Sequence, residues 1–219
     1  CLGGWDGFEA KGDARALVWY GKSKRENGHK WIEVECVGEA RHCVSGRKRF
    51  SHTITRTANC EAVLLGGFDG RDSTLDHSIF LKVTSVEDDR VVLDCSFAVS
   101  KGMAEPTPTY SHCACYIEEL NAVLRIGGCS VERGNLSEAY LLNLNTREWF
   151  EVPLQLDATF DINSGNQSLE AVNYWWSRVR CTRIKSGTPN LLLFGGGGTC
   201  CSFGSTHNPI VYNATLRGL

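Results

Sequence analysis

An all-β, propeller-type architecture is the fold class that this 219-residue chain predicts, and three observations carry it. The first is a glycine doublet closing an apolar run, present as Leu2-Gly3-Gly4, Leu65-Gly66-Gly67, Ile126-Gly127-Gly128 and Phe194-Gly195-Gly196. The steps from 3 to 66, 66 to 127 and 127 to 195 are 63, 61 and 68 residues; near-constant self-similarity of this kind marks a repeat array. The second is a companion motif. In Phe50-Ser51-His52 the histidine stands 14 residues before Gly66, in Tyr110-Ser111-His112 it stands 15 before Gly127, and Arg180 holds the matching place 15 before Gly195. The third is a succession of short apolar runs, about 4–7 residues each, bounded by Gly, Asn, Asp or Ser, which favours strands over helices.

Taken in order, the first unit (about 1–45) enters at its glycines and keeps two predicted strands, Ala16 to Tyr20 and Lys30 to Val34. The second unit (46–105) predicts four, at Ser51 to Thr57, Glu61 to Leu65, Ser78 to Thr84 and Arg90 to Phe97. The third (106–155) repeats the order with Ser111 to Tyr116, Ala122 to Ile126, Glu138 to Leu144 and Glu148 to Val152. Four antiparallel strands per unit make a propeller blade. Tyr140 and Trp149 are placed to pack one blade on the next. The fourth unit (175–219) offers Arg180 to Ile184, Asn190 to Phe194 and Ile210 to Tyr212, and stops before an outer strand. Two whole and two incomplete blades predict a partial ring. A long connection spans 153–174, with helical spacing at Leu169, Val172 and Trp176 and a Trp175-Trp176 pair beside it as a candidate contact.

Composition narrows the class. Hydrophobic residues are 42% and charged residues 22%, with a formal net charge of −2, so bulk electrostatics do not make the chain a polyanion binder. No apolar run approaches the ~20 residues of a membrane span, and no signal peptide is visible. The eleven cysteines are odd in number and form no compact framework; they read as reduced thiols in a cytosolic protein, and three Asn-X-Ser/Thr sequons read as chance. Cys1 begins inside a repeat, which predicts a piece of a longer protein.

The glycine doublet after an apolar strand, the aromatic-Ser-His before it, and the Tyr and Trp downstream resemble the kelch repeat, whose usual period is nearer ~50 residues. The run Leu191 to Pro209 is more specific. Its Gly195-Gly196-Gly197-Gly198, then Ser202-Phe203-Gly204 and Asn208-Pro209, resemble the kelch region of the tRNA wybutosine-synthesising carboxyl methyltransferases, and Pro106 to His112 with Ile126-Gly127-Gly128 match the same region. The resemblance implies a parent enzyme that uses S-adenosylmethionine to finish the hypermodified guanosine beside the anticodon of phenylalanine tRNA. It also implies a methyltransferase domain of the same parent chain as partner. These 219 residues hold no strand leading into a cofactor loop, so no catalytic site and no bound cofactor are expected of them.

Several residues carry candidate chemistry. Gly195 to Gly198 lack the Lys-Ser/Thr and helix of a phosphate loop and read as a structural turn. His52 and His112 recur at equivalent positions, which favours hydrogen bonding over catalysis. Cys200, Cys201 and His207 lack metal-ligand spacing. Asp69 and Asp72 flank Gly70 in a predicted exposed loop. Two basic groups, Arg47-Lys48-Arg49 and Arg178, Arg180, Arg183 and Lys185, are the candidate tRNA or partner contacts, with Phe50 and Trp176 placed to stack on bases. The competing expectation is a kelch adaptor that recruits a protein partner, for instance to a ubiquitin ligase. A galactose-oxidase-type enzyme would need a copper site of His, Tyr and a Cys-linked tyrosine, and no such set is identifiable.

Overall fold

The computed structural model describes residues 1–23, 26–58, 60–71, 75, 77–99, 105–160, 179–183, 190–195, 199–200, 204–205 and 211–216. Among them the fold is all-β, with two single-turn 3-10 segments at Arg41–Cys43 and Glu118–Leu120. Strands β1 (Leu2–Trp5), β2 (Ala10–Ser23), β3 (Glu26–Val37), β4 (Thr53–Ala58), β5 (Glu61–Leu65), β6 (Ile79–Val86) and β7 (Arg90–Phe97) form one seven-stranded sheet in the order β1-β2-β3-β7-β6-β5-β4. A second sheet orders β8 (Cys113–Ile117), β9 (Ala122–Ser130), β10 (Gly134–Asn143) and β11 (Glu148–Glu151) as β11-β10-β9-β8. A third orders β12 (Leu154–Phe160), β13 (Val179–Arg183), β14 (Asn190–Gly195) and β17 (Val211–Leu216) as β12-β17-β14-β13, and β15 (Thr199–Cys200) pairs with β16 (Gly204–Ser205).

Two features correct the strand plan expected from the sequence. The first and second units are not separate sheets: β3 pairs in parallel with β7, from Glu33 opposite Arg90 to Val37 opposite Asp94. The reason lies in the apolar stripe. Val34 and Cys36 on β3 and Val91, Leu93 and Cys95 on β7 alternate in phase, so pairing the strands lays one continuous face over a common core. The fourth unit does have an outer strand, and it comes from upstream: Leu154–Phe160, assigned to the connection, pairs antiparallel with β17 from Leu154 opposite Leu216 to Phe160 opposite Val211. The rest of that connection, with Trp175 and Trp176, lies outside the described residues.

Three cores follow the chain. One face of the seven-stranded sheet carries Leu2, Val34, Leu64, Ile79, Leu81, Leu93 and Cys95, with Ala40 and Val44 packed against it. Its other face presents Val63 and Leu65 to Val123 and Leu142 of the second sheet. The second sheet turns Leu124, Ile126 and Leu141 towards Ala214, Leu216 and Leu154 of the third. Strands β5 and β9 are thus buried on both faces, which is why Val63-Leu64-Leu65 and Val123-Leu124 are continuous apolar runs. Each fully buried leucine contributes about 2 kcal/mol of transfer free energy.

The repeat extends to backbone detail. Cys60 and Asn121 both adopt positive φ, 62° and 44°, at the turn into β5 and β9. Their carbonyls accept from Val83 and Leu144 at 2.9 and 3.0 Å, positions again offset by 61 residues.

Candidate functional site

The backbone around the first two doublets is where successive units meet. The Gly4 N–H donates to the Arg49 carbonyl at 2.7 Å, and the equivalent Gly67 N–H donates to the Thr109 carbonyl at 2.9 Å. Each unit then bridges to itself, Phe50 with Phe68 and Tyr110 with Cys129. The Ser111 N–H donates to the Ser51 carbonyl at 2.8 Å, both serines lying in the left-handed region at φ 55° and 56°. Glycine is required at Gly66: φ is +53°, and a Cβ there would stand 2.0 Å from the Thr109 carbonyl oxygen.

The two histidines complete the joints. His112 is 1% exposed; its Nε2 pairs with Thr53 Oγ1 of the preceding unit at 2.8 Å and its Nδ1 with Thr109 Oγ1 at 3.1 Å. With both nitrogens engaged by hydroxyls, His112 is a tie between β4 and β8 and holds no lone pair ready for proton transfer. His52 donates to the Leu2 carbonyl, but its buried Nδ1 has no partner among the described residues. The difference is local. Three residues upstream, Thr109 supplies a hydroxyl in one unit, whereas Arg49 stands there in the other. Burial first, and the Arg49 charge second, push the His52 imidazole down to about 4.

A cavity of about 420 Å³ opens where β4, β8 and Cys181 of β13 converge, lined by Ser51, Thr53, Thr55, Ser111 and the two histidines. Among the described residues its walls offer hydroxyls and no carboxylate. Among the described residues no group of three or more His, Cys, Asp or Glu is placed to hold a metal ion. No glycine-rich loop leads into a helix among them.

The basic groups fare unequally. Arg49 is 3% exposed, and its guanidinium donates to the Cys43 carbonyl at 2.8 Å and to the Gly66 carbonyl. This corrects the expectation of a solvent-facing contact, because the guanidinium is drawn inside to serve the Gly66 carbonyl at the doublet and the Cys43 carbonyl of the 3-10 turn. Arg47 is half-buried and Lys48 exposed, the latter ion-paired with Glu9. Lys11 binds the neighbouring Asp6 at 2.7 Å and Glu9 at 3.0 Å. Arg180 and Arg183 lie on β13, opposite Phe194 and Leu191. Arg178 and Lys185 lie outside the described residues, as do Gly196, Gly197, Gly198, Ser202, Phe203, Asn208 and Pro209 of the fingerprint, together with Asp72, Cys201 and His207. Gly195 ends β14 and Gly204 opens β16. Asp69 caps its turn by accepting from the Arg71 N–H at 2.9 Å.

Sequence reasoning missed two arrangements. Aromatic rings run in a row from unit to unit: Trp5 to Phe50 at 5.1 Å, Phe50 to Phe68 at 5.6 Å and Phe68 to Tyr110 at 5.1 Å. Trp5 is 51% exposed at the open end, and Phe8 is 91% exposed in the adjoining turn. The signal was available, since Trp5 and Phe68 each follow a doublet. Tyr140 and Trp149, expected as packing residues, clamp the guanidinium of the buried Arg125 at 5.2 and 5.4 Å. Burial lowers that cation to about 10, so it stays charged at neutral pH.

No family model matches the chain. A stretch of 103 residues, 47% of the chain, is 31% identical to the dynein regulatory complex subunit 7 of Chlamydomonas reinhardtii and covers 8% of that protein's length. Among solved structures, a chain of the RAG complex with one melted and one unmelted RSS aligns over 96% of this chain and 69% of its own, with a TM-score of 0.53 and 12% identity. Two others, YjhT and a copper-bound fungal alcohol oxidase of the AA5 family, align over 79% and 77% of this chain but only 46% and 31% of theirs, each with a TM-score of 0.46, at 12% and 10% identity. The chain therefore spans a small part of its curated relative and less than half of these two structures. At such identities the RAG likeness speaks to the fold alone, and the other two carry no argument.

Proposed function

We propose that this chain is a kelch-type propeller segment, an arc of four units, belonging to a tRNA wybutosine-synthesising methyltransferase of the cytoplasm. Its own role is non-catalytic: it packs against the methyltransferase domain of the parent and helps to hold phenylalanine tRNA, while S-adenosylmethionine is bound elsewhere in the parent. The observation that carries this reading is the quadruple-glycine segment Gly195 to Pro209, set in register with three earlier doublets. Unit-to-unit joints that repeat at Gly4–Arg49 and Gly67–Thr109 support the propeller part of it. No helix among the described residues is long and apolar enough to cross a membrane.

On this reading Arg47 and Lys48, three and two residues before the Phe50 on which the exposed Trp5 ring packs, are the tRNA contact, positive charge positioning the backbone and the Trp5 ring stacking a base. In the full-length protein, Arg47→Ala with Lys48→Ala is expected to weaken tRNA binding several-fold. It should also flatten the logarithmic salt slope by roughly 1.5. Filter binding at several salt concentrations checks this, and an unchanged slope would remove the loop from the RNA surface. Mass spectrometry of phenylalanine tRNA from cells lacking the gene tests the pathway; intact wybutosine there would refute it.

A second reading, a kelch adaptor for protein partners, is favoured by one finding: the similar stretch in a dynein regulatory complex subunit, by its name a component of a protein assembly. An unaltered tRNA together with a stable protein complex would decide for it.

A further inference from the structure

The hairpin β2–β3 leaves a backbone edge that the proposed function does not use. β2 runs from Ala10 to Ser23, but β1 accompanies it only from Trp5 opposite Ala10 to Leu2 opposite Ala14. At the end of that pairing the Arg15 N–H donates to the Cys1 carbonyl at 2.9 Å, and the Cys1 ammonium donates to the Arg15 carbonyl at 2.7 Å. Residues two apart on a strand turn their N–H and C=O to the same side. Leu17 and Trp19 therefore present theirs along the edge that Arg15 opens, and no further strand pairs with β2 there among the described residues.

The second unit shows what such an edge accepts. Leu64, 63 residues after Cys1, stands opposite Ile79 of β6, and the residues leading into it, Val63, Ala62 and Glu61, stand opposite Phe80, Leu81 and Lys82. An apolar strand led by an acid thus fills in the second unit the place that is bare in the first. Beside the bare edge lies a cavity of about 300 Å³ that Cys1, Leu2, Arg15 and Ala16 help to line. Val34, Leu81, Val83, Val91 and Leu93 give it apolar walls, and Ile54 of β4, itself 44% exposed, lines it as well. Its charges are Arg15, Arg56 and Glu61, and Glu61 is ion-paired with Lys82 at 2.9 Å. The balance favours an acidic guest over a basic one.

We infer that the β2 edge and this cavity form a docking site for an extended peptide of a partner protein, an apolar run led by an acidic residue, added antiparallel to β2. The Leu17 and Trp19 N–H groups donate to peptide carbonyls, and their own carbonyls accept from peptide N–H groups, which is strand addition at an exposed sheet edge. Alternate side chains of the peptide enter the cavity, and its carboxylate meets Arg15 or Arg56. The inference goes beyond the tRNA reading and stands whether or not Arg47 and Lys48 touch RNA.

The probe is a fluorescein-labelled peptide with blocked ends whose core, Glu-Ala-Val-Leu-Leu, copies β5. Saturable binding to the folded chain is expected by fluorescence anisotropy. Methylating alternate backbone nitrogens of the peptide should weaken it roughly tenfold or more, because those N–H groups are what the β2 carbonyls accept. Leu17→Pro removes a donor on the open edge, where proline is tolerated, and should weaken binding to a similar degree while leaving the circular dichroism unchanged. Replacing the peptide's Glu by Lys should weaken binding several-fold, and Arg15→Glu with Arg56→Glu should restore it. Equal binding of the methylated peptide would mean that only apolar side chains are recognised, and it would overturn the inference even if Leu17→Pro failed to fold. The absence of saturable binding at millimolar peptide would overturn it too.

Discussion

Gly66→Ala is expected to destabilise the folded chain by about 4 kcal/mol, most of the roughly 5 kcal/mol that holds a marginally stable domain together. Two costs combine. A side chain at φ +53° is strained by roughly 1–2 kcal/mol. The added methyl would stand 2.0 Å from the Thr109 carbonyl oxygen and 2.9 Å from the His112 ring, in a joint where neither neighbour has room to retreat, and such overpacking costs roughly 1–3 kcal/mol. His112 cannot swing away without losing its bonds to Thr53 and Thr109. Gly134→Ala isolates the first cost. Its φ is +71°, but an added Cβ would meet nothing within 4 Å, so roughly 1–2 kcal/mol is expected there. Urea unfolding followed by tryptophan fluorescence measures both. Equal losses at the two sites would mean that the Gly66 joint is not the tight contact described.

That joint shows how far the sequence could be read. The doublets and the Ser-His pairs were visible as a repeat, and the bounds of β5 and β7, Glu61–Leu65 and Arg90–Phe97, follow from apolar runs ending at turn residues. Positive φ at the doublets was legible too, because a paired glycine at a strand end has few other uses. What the sequence could not show is which distant partner each element finds. Leu154, Leu156, Ala158 and Phe160 alternate as a strand should, yet their partner β17 begins at Val211, and nothing local announces that pairing. The parallel seam of β3 and β7 is hidden in the same way. Arg49 failed for another reason. Three adjacent cations read as a solvated loop, and only the position of the Cys43 and Gly66 carbonyls reveals that one of them is drawn inside. Local pattern reports propensity, whereas burial of a polar group is decided by its partners.

The consequence of that inward turn is a pH dependence centred on His52. In the folded chain its imidazole titrates at about 4, against 6.5 when unperturbed. The sign follows from proton counting. Between these values the unfolded chain binds a proton that the folded chain refuses, so stability is full above pH 6.5 and falls as the pH drops towards 4. The expected loss is about 2 kcal/mol between pH 7 and pH 5, and about 3 kcal/mol at most below the folded value. Asp6 and Glu9, whose carboxyls are held low by Lys11 and Lys48 respectively, lose their stabilisation only at more acid pH, below the histidine window. Thermal unfolding at half-unit steps from pH 7 to pH 5 checks this, with His52→Gln as the comparison: glutamine can still donate to the Leu2 carbonyl but does not titrate. The wild type should lose about 2 kcal/mol more than the variant across the window. Parallel curves would show that His52 is free to protonate in the folded state. In that case Arg49 and burial at the first joint do not act on the ring as their positions require.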